Sequence, residues 1–398
     1  MALQNHPQIQ AAQNEPAFTN QQIVEARSAY FPTVTGEITG SQANNGARIG
    51  AGFITDSRMF DRFGSGFTLS QLITDAGRTK NLVASSRLQA QAGAQNVQAT
   101  RYDVLLQVNR AYFDVLHAQA LIKTAQETIK TRQTLLDQVT QLAQNQLRSQ
   151  LDVSFAGVNV SQAKLLLIQA QNALDEAYAE LARALGADSV VDYQVQEEPL
   201  PPVPPASPDD LVAQAMANRP ELASFRFSRD SANRFAQAEK DLSRLTVNLV
   251  GVAGYIPYIE QLTSQATPPE YEGVALNVSI PIFNGHLFSA RKEAARDRAM
   301  EADQKLRDEQ MSVSRGVRLA WANASTAYQR IGVTAQFVQQ AALGVSLAQG
   351  RYNLGLASIV ELSQAQLNQT QAEIDNLSAK YDYQSQYQAL QYTIGMLR

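Results

Sequence analysis

The feature that most constrains this chain is an internal repeat that spans almost all of its length. Residues 75–186 align with residues 284–395 without a gap, at an offset of 209. Identical pairs at this offset include Arg87 with Arg296, Val108 with Val317, Ala111 with Ala320 and Gly186 with Gly395. The segment before this block repeats at an offset of 213, which places Pro7 on Pro220. The two halves are therefore expected to be structural equivalents produced by duplication.

A proline-rich stretch separates the two copies. The three parts of the chain are a first structural repeat, a connector and a second structural repeat, over residues 1–186, 187–207 and 208–398. Five prolines lie between residues 199 and 205, and such a density is incompatible with a helix or a central strand. The connector is therefore predicted to be stiff and extended. Ser207 is predicted as an N-cap, with Pro208 at the first position of the helix that follows.

Each repeat contains a long stretch without proline. Residues 75–147 are rich in Ala, Gln, Leu and Val, and they predict one helix of roughly 100 Å, too long for a compact globule. The equivalent helix is expected over 284–353, and helices over 150–186 and 358–397 are expected to return along them.

Two heptad seams on the first long helix predict neighbours on two sides. One seam includes Ile122 and Ile129, and a second contains Ala111, Ala118 and Ala125. This spacing is typical of coiled coils, and two seams on one helix favour a wall of helices over an isolated pair. We interpret Tyr112 and Trp321, which are equivalent in the repeat, as packing residues within this wall.

Four other segments alternate with a period of two and are predicted to be β-strands. They lie at about 33–42, 64–74, 245–256 and 271–283. Each is long enough to cross a bilayer when tilted. Four strands cannot close a barrel, and open sheet edges are not viable in lipid, so the barrel must be shared between subunits.

The loops between paired strands, around 42–63 and 256–270, are predicted to be irregular. Aromatic residues near the strand ends are Phe60, Phe63, Tyr255, Tyr258 and Tyr271. Either an aromatic girdle at the membrane surface or ordinary strand composition explains them.

Composition excludes most enzyme chemistry. The chain has no Cys, and His6, His117 and His286 are too scattered to form a zinc site. The net charge of −4 argues against a basic nucleic-acid footprint. No phosphate loop or nucleophile elbow is present, so we expect no enzyme activity, no cofactor and no metal. No unbroken apolar run predicts a transmembrane helix.

The N-terminus lacks the pattern of a signal peptide. Either the chain is cytosolic or an export signal has been removed, and the sequence is similar to a mature or truncated form.

Short motifs recur in the same order in both repeats. They are Asn5-His6-Pro7 and Asn218-Arg219-Pro220 near the start of each half, Glu25 to Pro32 before the first strand, Pro281 to Gly285 after the last, and the helix-to-helix tips at 147–153 and 352–362. Because it carries these motifs in this order, the chain resembles the TolC-like outer-membrane efflux protein family over essentially its whole length.

The resemblance implies a mixed α+β membrane protein that is mainly α. Its fold would be a trimeric 12-stranded outer-membrane β-barrel, with four strands per chain, continued by a long α-helical coiled-coil barrel in the periplasm of a Gram-negative bacterium. The implied function is an exit duct of a tripartite efflux pump or a type I secretion system, which conducts substrates passively. The implied partners are two further copies of the chain, a periplasmic adaptor, an inner-membrane transporter and outer-membrane lipid. The alternative is a soluble periplasmic coiled-coil adaptor or scaffold.

The same resemblance implies that the helix tips gate the periplasmic end. The implied aperture residues are Arg148, Ser149, Asp152, Tyr352, Ser358, Glu361 and Gln364. The implied adaptor-contact residues are Leu147, Arg148, Ser149, Gly355, Leu356, Ala357 and Ser358. This chain departs from the family pattern in three places, with Gln364 in place of a second acid, Ala357 in place of a latching base and Gln146 in place of glycine.

Two alternatives remain open at the tips. Asp152 and Glu361 either form a carboxylate ring that attracts cations, or act as first-turn acids that stabilise helices capped by Ser149 and Ser358. Both roles are compatible. Arg148 is either a latch between tips or a solvated loop charge.

Overall fold

The computed structural model of the protein describes residues 2–42, 48–51, 54–58, 62–187, 189, 193–259 and 268–397. The helices in this part of the chain are α1 Ala2–Asn5, α2 Pro7–Ser28, α3 Arg78–Gln144, α4 Gln150–Leu185, α5 Asp209–Asn218, α6 Pro220–Asp241, α7 Leu287–Asn353 and α8 Ile359–Thr393. The strands are β1 Thr33–Ser41, β2 Arg48–Ala51, β3 Ile54–Arg58, β4 Arg62–Thr74, β5 Thr246–Ile259 and β6 Glu270–Ser279. The chain is thus mainly helical with one four-stranded antiparallel sheet, as the sequence predicts.

The chain divides into two compact units. The first comprises Met1–Asn14, Ala94–Ala223 and Arg307–Arg398. The second comprises Glu15–Gly93 and Ser224–Leu306, and contains all the strands. The turns within the two helix tips, at 145–149 and 354–358, belong to the first unit.

The four-stranded sheet has one mainly apolar and one more polar face. Its order is β1-β4-β5-β6, and every neighbouring pair is antiparallel. The register places Val34, Ile38, Phe67, Val274 and Leu276 on one face, where all five are exposed. The opposite face carries Thr35, Glu37, Thr68, Asn248 and Asn277. Both β1 and β6 are edge strands within this chain.

The prediction of an irregular loop over 42–63 is wrong in part, because β2 and β3 pair there as a hairpin. Its strands are too short to give a clear period of two in the sequence. The last strand ends at Ser279 rather than near residue 283, and Pro281 lacks the N–H that would continue the ladder. Phe60 and the loop segments 43–47, 52–53, 59–61 and 260–267 lie outside the described residues.

The core of the first unit is a seam of small side chains between helices. Ala111, Ala118 and Ala125, which form the second heptad seam, are all buried. Ala111 packs with Val115 of α3 and Leu181 of α4. Alanine at these positions permits close approach of the helices.

Each returning helix ends on a glycine that packs against an Asn-x-Pro motif. Gly186 has a φ of +70°, and a Cβ there would lie 3.0 Å from His6 Cα. Gly395 has a φ of +73°, and its Cβ would lie 3.1 Å from the carbonyl carbon of Asn218. Only glycine combines this backbone conformation with this close approach. The motif and the glycine recur together because they touch.

Side chains of the long helices hold the connector. Tyr112 donates a hydrogen bond to the carbonyl of Gln196, and Trp321 Nε1 donates to the carbonyl of Pro205 over 2.8 Å. Tyr383 also donates to Pro202. The proline-rich connector has few N–H groups, because proline has none. Its carbonyls therefore accept hydrogen bonds from side chains of the neighbouring helices. From sequence alone we interpret Tyr112 and Trp321 as packing residues. In the structure they also donate hydrogen bonds to the connector.

The start of α5 differs by one residue from expectation. The helix begins at Asp209 with Pro208 as the N-cap, whereas Ser207 was the predicted cap. Ser207 Oγ still accepts a hydrogen bond from Asp209 N over 3.3 Å. This is the bond that a serine N-cap makes to the second helical residue, and Pro208 between them already has helical backbone angles, with φ of −80° and ψ of −7°.

Among the helices of the described residues, two are long and apolar enough to cross a membrane by length and composition, unlike our expectation of no such helix. α4 and α7 each contain an 18-residue window with a mean hydropathy of 1.2. The expectation required an unbroken apolar run, whereas these windows mix apolar residues with Gln, Ser and Asn. Helices of bundles pass the same test, so it does not by itself assign a membrane span.

Candidate functional site

The two tips at the ends of α3 and α7 share one backbone geometry. In the first tip, Leu147 N donates to Leu142 O over 2.9 Å and Gln146 N donates to Ala143 O over 3.0 Å. In the second tip the same pattern joins Leu356 N to Arg351 O and Gly355 N to Tyr352 O. Both are Schellman endings, which need a left-handed residue. Gln146 and Gly355 supply it, with φ of +62° and +75°.

Each tip then starts the next helix with a serine cap. Ser149 Oγ accepts from Asp152 N over 3.2 Å, and Asp152 Oδ2 accepts from Ser149 N over 3.2 Å. This is a capping box, which satisfies two backbone donors reciprocally. Ser358 Oγ accepts from Glu361 N over 3.3 Å. Asp152 and Glu361 thus occupy the first turn of α4 and α8, where a negative charge is favourable.

Tyr352, at the end of α7, is the buried centre of the tip region. Its side chain is only 2% exposed. It packs among residues of α3, α7 and α8, which are Leu135, Val139, Ala348, Ile359 and Leu362. The predicted aperture residue is therefore also a core residue that joins both repeats.

Arg148 binds Tyr352 from the other tip. Its guanidinium carbon lies 4.3 Å from the centre of the Tyr352 ring, in cation–π geometry. It also donates a hydrogen bond to the backbone carbonyl of Tyr352. The side chain of Arg148 therefore spans from the α3–α4 tip to the end of α7.

The phenol of Tyr352 is an unusual buried group. Its hydroxyl has no hydrogen-bond partner among the described residues. Burial raises the pKa of Tyr352, the charge of Asp152 raises it further, and Arg148 opposes the change. The phenol of Tyr352 therefore stays neutral.

Glu361 has a cationic partner that the sequence alone did not reveal. Arg351, in the last turn of α7, approaches it with Nη1 at 3.6 Å from Oε1. Arg351 also donates to the carbonyl of Leu356 over 3.4 Å. The sequence does contain a signal for this pair, because Arg351 lies in the last turn of a predicted helix, ten residues before Glu361.

The side chains of the remaining predicted site residues do not join this contact network. Gln364 donates to Asn368 Oδ1 over 3.0 Å along α8 and is exposed. Leu147 and Leu356 are 68% and 67% exposed at the two turns, and Ala357 is half-buried beside them. The tips therefore present apolar side chains outward.

A second polar contact between repeats lies farther along the helices. Arg132 of α3 is 4% exposed and donates to the carbonyl of Asn159 and to Thr370 Oγ1, each over 3.0 Å. Asn159 Nδ2 donates to Ser363 Oγ over 2.8 Å. Burial lowers the pKa of Arg132. No local sequence pattern indicates this cluster, because its members are distant along the chain.

The described residues contain no group of three or more His, Cys, Asp or Glu side chains that could hold a metal ion.

Comparisons with known proteins agree with this architecture. The family model described as "Outer membrane efflux protein" matches residues 1–187 and 211–396. Outer membrane protein TolC of Escherichia coli (strain K12) is 24% identical over 384 residues, covering 94% of this chain and 76% of that protein. Alkaline protease secretion protein AprF of Pseudomonas aeruginosa is 26% identical over 419 residues, covering 100% and 83%.

Solved structures show the same fold. The outer membrane protein VceC from Vibrio cholerae matches with a TM-score of 0.83 and 17% identity, over 99% of this chain and 94% of that chain. The outer-membrane channel OprN matches with a TM-score of 0.82 and 17% identity, over 99% and 88%.

Proposed function

The chain belongs to the outer membrane efflux protein family, and from that premise we propose that its two helix tips form the gate of the duct. The protein is an outer-membrane channel with a helical part in the periplasm, and it conducts substrates to the exterior for an efflux pump or a type I secretion system. The family match does not favour the soluble adaptor alternative. We also infer that the channel has no catalytic activity, because its relatives are channel proteins.

The observation that carries the gate proposal is the contact of Arg148 with Tyr352. It joins the tip of the first repeat to the end of α7 in the second repeat. Movement of α7 and α8 away from α3 and α4 must break it. A cation–π contact contributes about 0.5–2 kcal/mol, and a hydrogen bond from a charged donor about 1.5–3 kcal/mol. A bound partner protein can supply free energy of that order.

Asp152 and Glu361 would control which ions pass the gate. Both are acidic residues in the first turn of the helix that follows a tip. In a closed ring of copies these carboxylates would repeat around a narrow mouth, where they would attract cations and repel anions. Arg351 reduces the effect of Glu361 by pairing with it.

We propose three copies per channel. The sheet has two unpaired edges within one chain, at β1 and β6. Apolar side chains of α4 and α7 that remain exposed in one chain include Leu165, Ile168, Val333 and Leu347. Neighbouring copies would cover both features, because unpaired edges are not tolerated in lipid.

The proposed partners of the tips are a periplasmic adaptor and, through it, an inner-membrane transporter. The turn residues Leu147, Leu356 and Leu354 are all more than half exposed. Such apolar side chains at a solvent-exposed end mark a protein contact surface. The adaptor would bind here and displace Arg148 from Tyr352.

The test is single-channel recording in a planar bilayer under a KCl gradient. Wild-type protein should conduct and be cation-selective. Replacement of both acids, Asp152→Asn with Glu361→Gln, should shift the reversal potential toward zero while conductance persists. Absence of any conductance would contradict the channel function, whereas an unchanged reversal potential would contradict only the role of the two acids.

A further inference from the structure

One row of residues crosses all four strands of the sheet. The register pairs Glu37 of β1 with Gly66 of β4, Gly66 with Gly254 of β5, and Gly254 with Tyr271 of β6. Residues paired across strands point to the same face. Glu37 and Tyr271 therefore share one face of the sheet, with two glycines between them.

Tyr271 occupies the space that the glycines leave open. A Cβ added at Gly66 or at Gly254 would overlap the hydroxyl of Tyr271. The phenol therefore extends from β6 across β5 to β4 and lies against the backbone. Tyr271 is nevertheless 42% exposed as a residue, so part of it remains accessible to a ligand.

A cavity of 330 Å³ lies on this face of the sheet. Its lining residues include Glu37, Tyr271, Thr39 and Thr68. Its volume falls in the range of small-molecule sites, which is about 300–1,000 Å³.

Glu37 is the only carboxylate on this face among the strand residues whose side chains are described. The two acids of β6, Glu270 and Glu272, pair with Tyr255 and Ala253 and so point to the opposite face. Glu37 makes no ion pair with another described residue. Its charge is therefore available to a ligand.

We propose that Glu37 and Tyr271 form a weak binding site for organic ammonium cations. A carboxylate attracts the positive charge, and the face of an aromatic ring binds ammonium groups and their alkyl substituents. The proposal rests on the proposed function, because this polar face lines the channel only when copies of the sheet close into a barrel with the apolar face toward lipid.

Such a site would act on cations near the exit of the duct. Three copies of Glu37 would raise the local concentration of cations within the barrel. Binding must be weak, because a conducting site has to release its ligand.

The experiment measures block of KCl conductance by tetrabutylammonium chloride added on the side of the strand loops. Glu37→Gln should raise the half-blocking concentration about fivefold, the effect of losing an exposed charge contact. Tyr271→Phe keeps the ring and should be blocked by tetrabutylammonium as strongly as wild type. Tyr271→Leu lacks the ring and should be blocked more weakly. The matched control is Glu272→Gln, which removes a charge from the opposite face and should leave block unchanged.

The outcomes separate this site from the channel function. If wild-type protein does not conduct KCl, the proposed function fails. If it conducts but Glu37→Gln and wild type are blocked equally, the ammonium site is wrong. Block that Asp152→Asn abolishes and Glu37→Gln retains would place cation binding at the helix tips and would also overturn the proposal. Each variant must still form channels that conduct KCl, which verifies that the barrel assembles.

Discussion

The guanidinium of Arg148 lies over the ring of Tyr352, 4.3 Å from its centre, although the two residues are 204 positions apart in the chain. Each residue comes from a different copy of the repeat. The contact therefore joins two halves that the sequence presents as equivalent, and it has no duplicate, because the residue equivalent to Arg148 is Ala357. One repeat supplies the base and the other supplies the ring.

Loss of this contact should loosen the tips. We expect Arg148→Ala to increase single-channel conductance several-fold, because the end of α7 loses its link to the first tip. Thermal unfolding should show a destabilisation of about 1–3 kcal/mol, from one cation–π contact and one hydrogen bond.

Arg183→Ala is the matched control, since Arg183 binds the nearby Glu180 on the surface of α4. It should leave conductance unchanged. Equal conductance of Arg148→Ala and wild type would show that Arg148 does not restrain the gate.

Two variants separate the capping role of the first tip from its charge. Ser149→Ala removes the acceptor of the Asp152 N–H bond and should cost about 1 kcal/mol of stability. It keeps the carboxylate, so ion selectivity should persist. Asp152→Asn retains an oxygen that can accept from Ser149 N, and should lose selectivity with a smaller loss of stability.

The comparison uses reversal potentials and unfolding midpoints for both variants. Ser358→Ala provides the same test at the second tip, where Ser358 Oγ accepts from Glu361 N. If Ser149→Ala alters selectivity as strongly as Asp152→Asn, the two roles cannot be distinguished and the ring interpretation fails.

Replacement of the turn residue Gln146 in the first tip should increase the stability of the protein. Gln146 adopts a φ of +62°, a left-handed conformation that costs a non-glycine residue roughly 1 kcal/mol. Gln146→Gly should therefore stabilise the protein by up to about 1 kcal/mol. The reverse change at the equivalent position, Gly355→Ala, should destabilise it by a similar amount. Opposite shifts of the unfolding midpoint would support this explanation, and shifts of the same sign would contradict it.

Much of the architecture could be predicted from local patterns. The heptad spacing around Ala111, Ala118 and Ala125 reports burial directly, because each helix position faces a fixed direction. Serine three residues before an acid marks a helix start at both tips. The hairpin formed by β2 and β3 was missed, because strands of four and five residues are too short to show a period of two.

Contacts between distant residues could not be predicted in this way. Arg132 belongs to no local motif, and only the packing of α3 with α4 and α8 brings its partners near. The hydrogen bonds from Tyr112 and Trp321 to the connector are likewise tertiary. A periodic pattern indicates that such a ring is buried or half-buried, but it does not reveal which carbonyl its polar atom reaches.

Stability should depend on pH through a histidine in the helical core. His117 of α3 is half-buried, and its Nε2 lies 3.1 Å from Ser378 Oγ of α8. Burial lowers the pKa of His117, and the charge of Asp114 opposes the change. The unfolded chain, whose histidine pKa is about 6.5, therefore binds a proton more readily than the folded protein. The contribution of neutral His117 to the free energy of unfolding is fully present above the unfolded-state pKa. It is lost as the pH falls through the lower folded-state pKa.

Asp114 acts in the opposite direction at lower pH. Burial raises the pKa of Asp114 above the ordinary value of 3.8. Its contribution to the free energy of unfolding is therefore present below that value and is lost as the pH rises through the folded-state pKa. His117→Gln should isolate the histidine effect, because the amide does not titrate. The difference in unfolding midpoint between variant and wild type, measured from pH 7.5 to pH 5, should shift in favour of the variant as the pH falls. Ser378→Ala retains the imidazole and should keep the wild-type slope; a pH-independent difference for His117→Gln would show that His117 does not titrate differently in the two states.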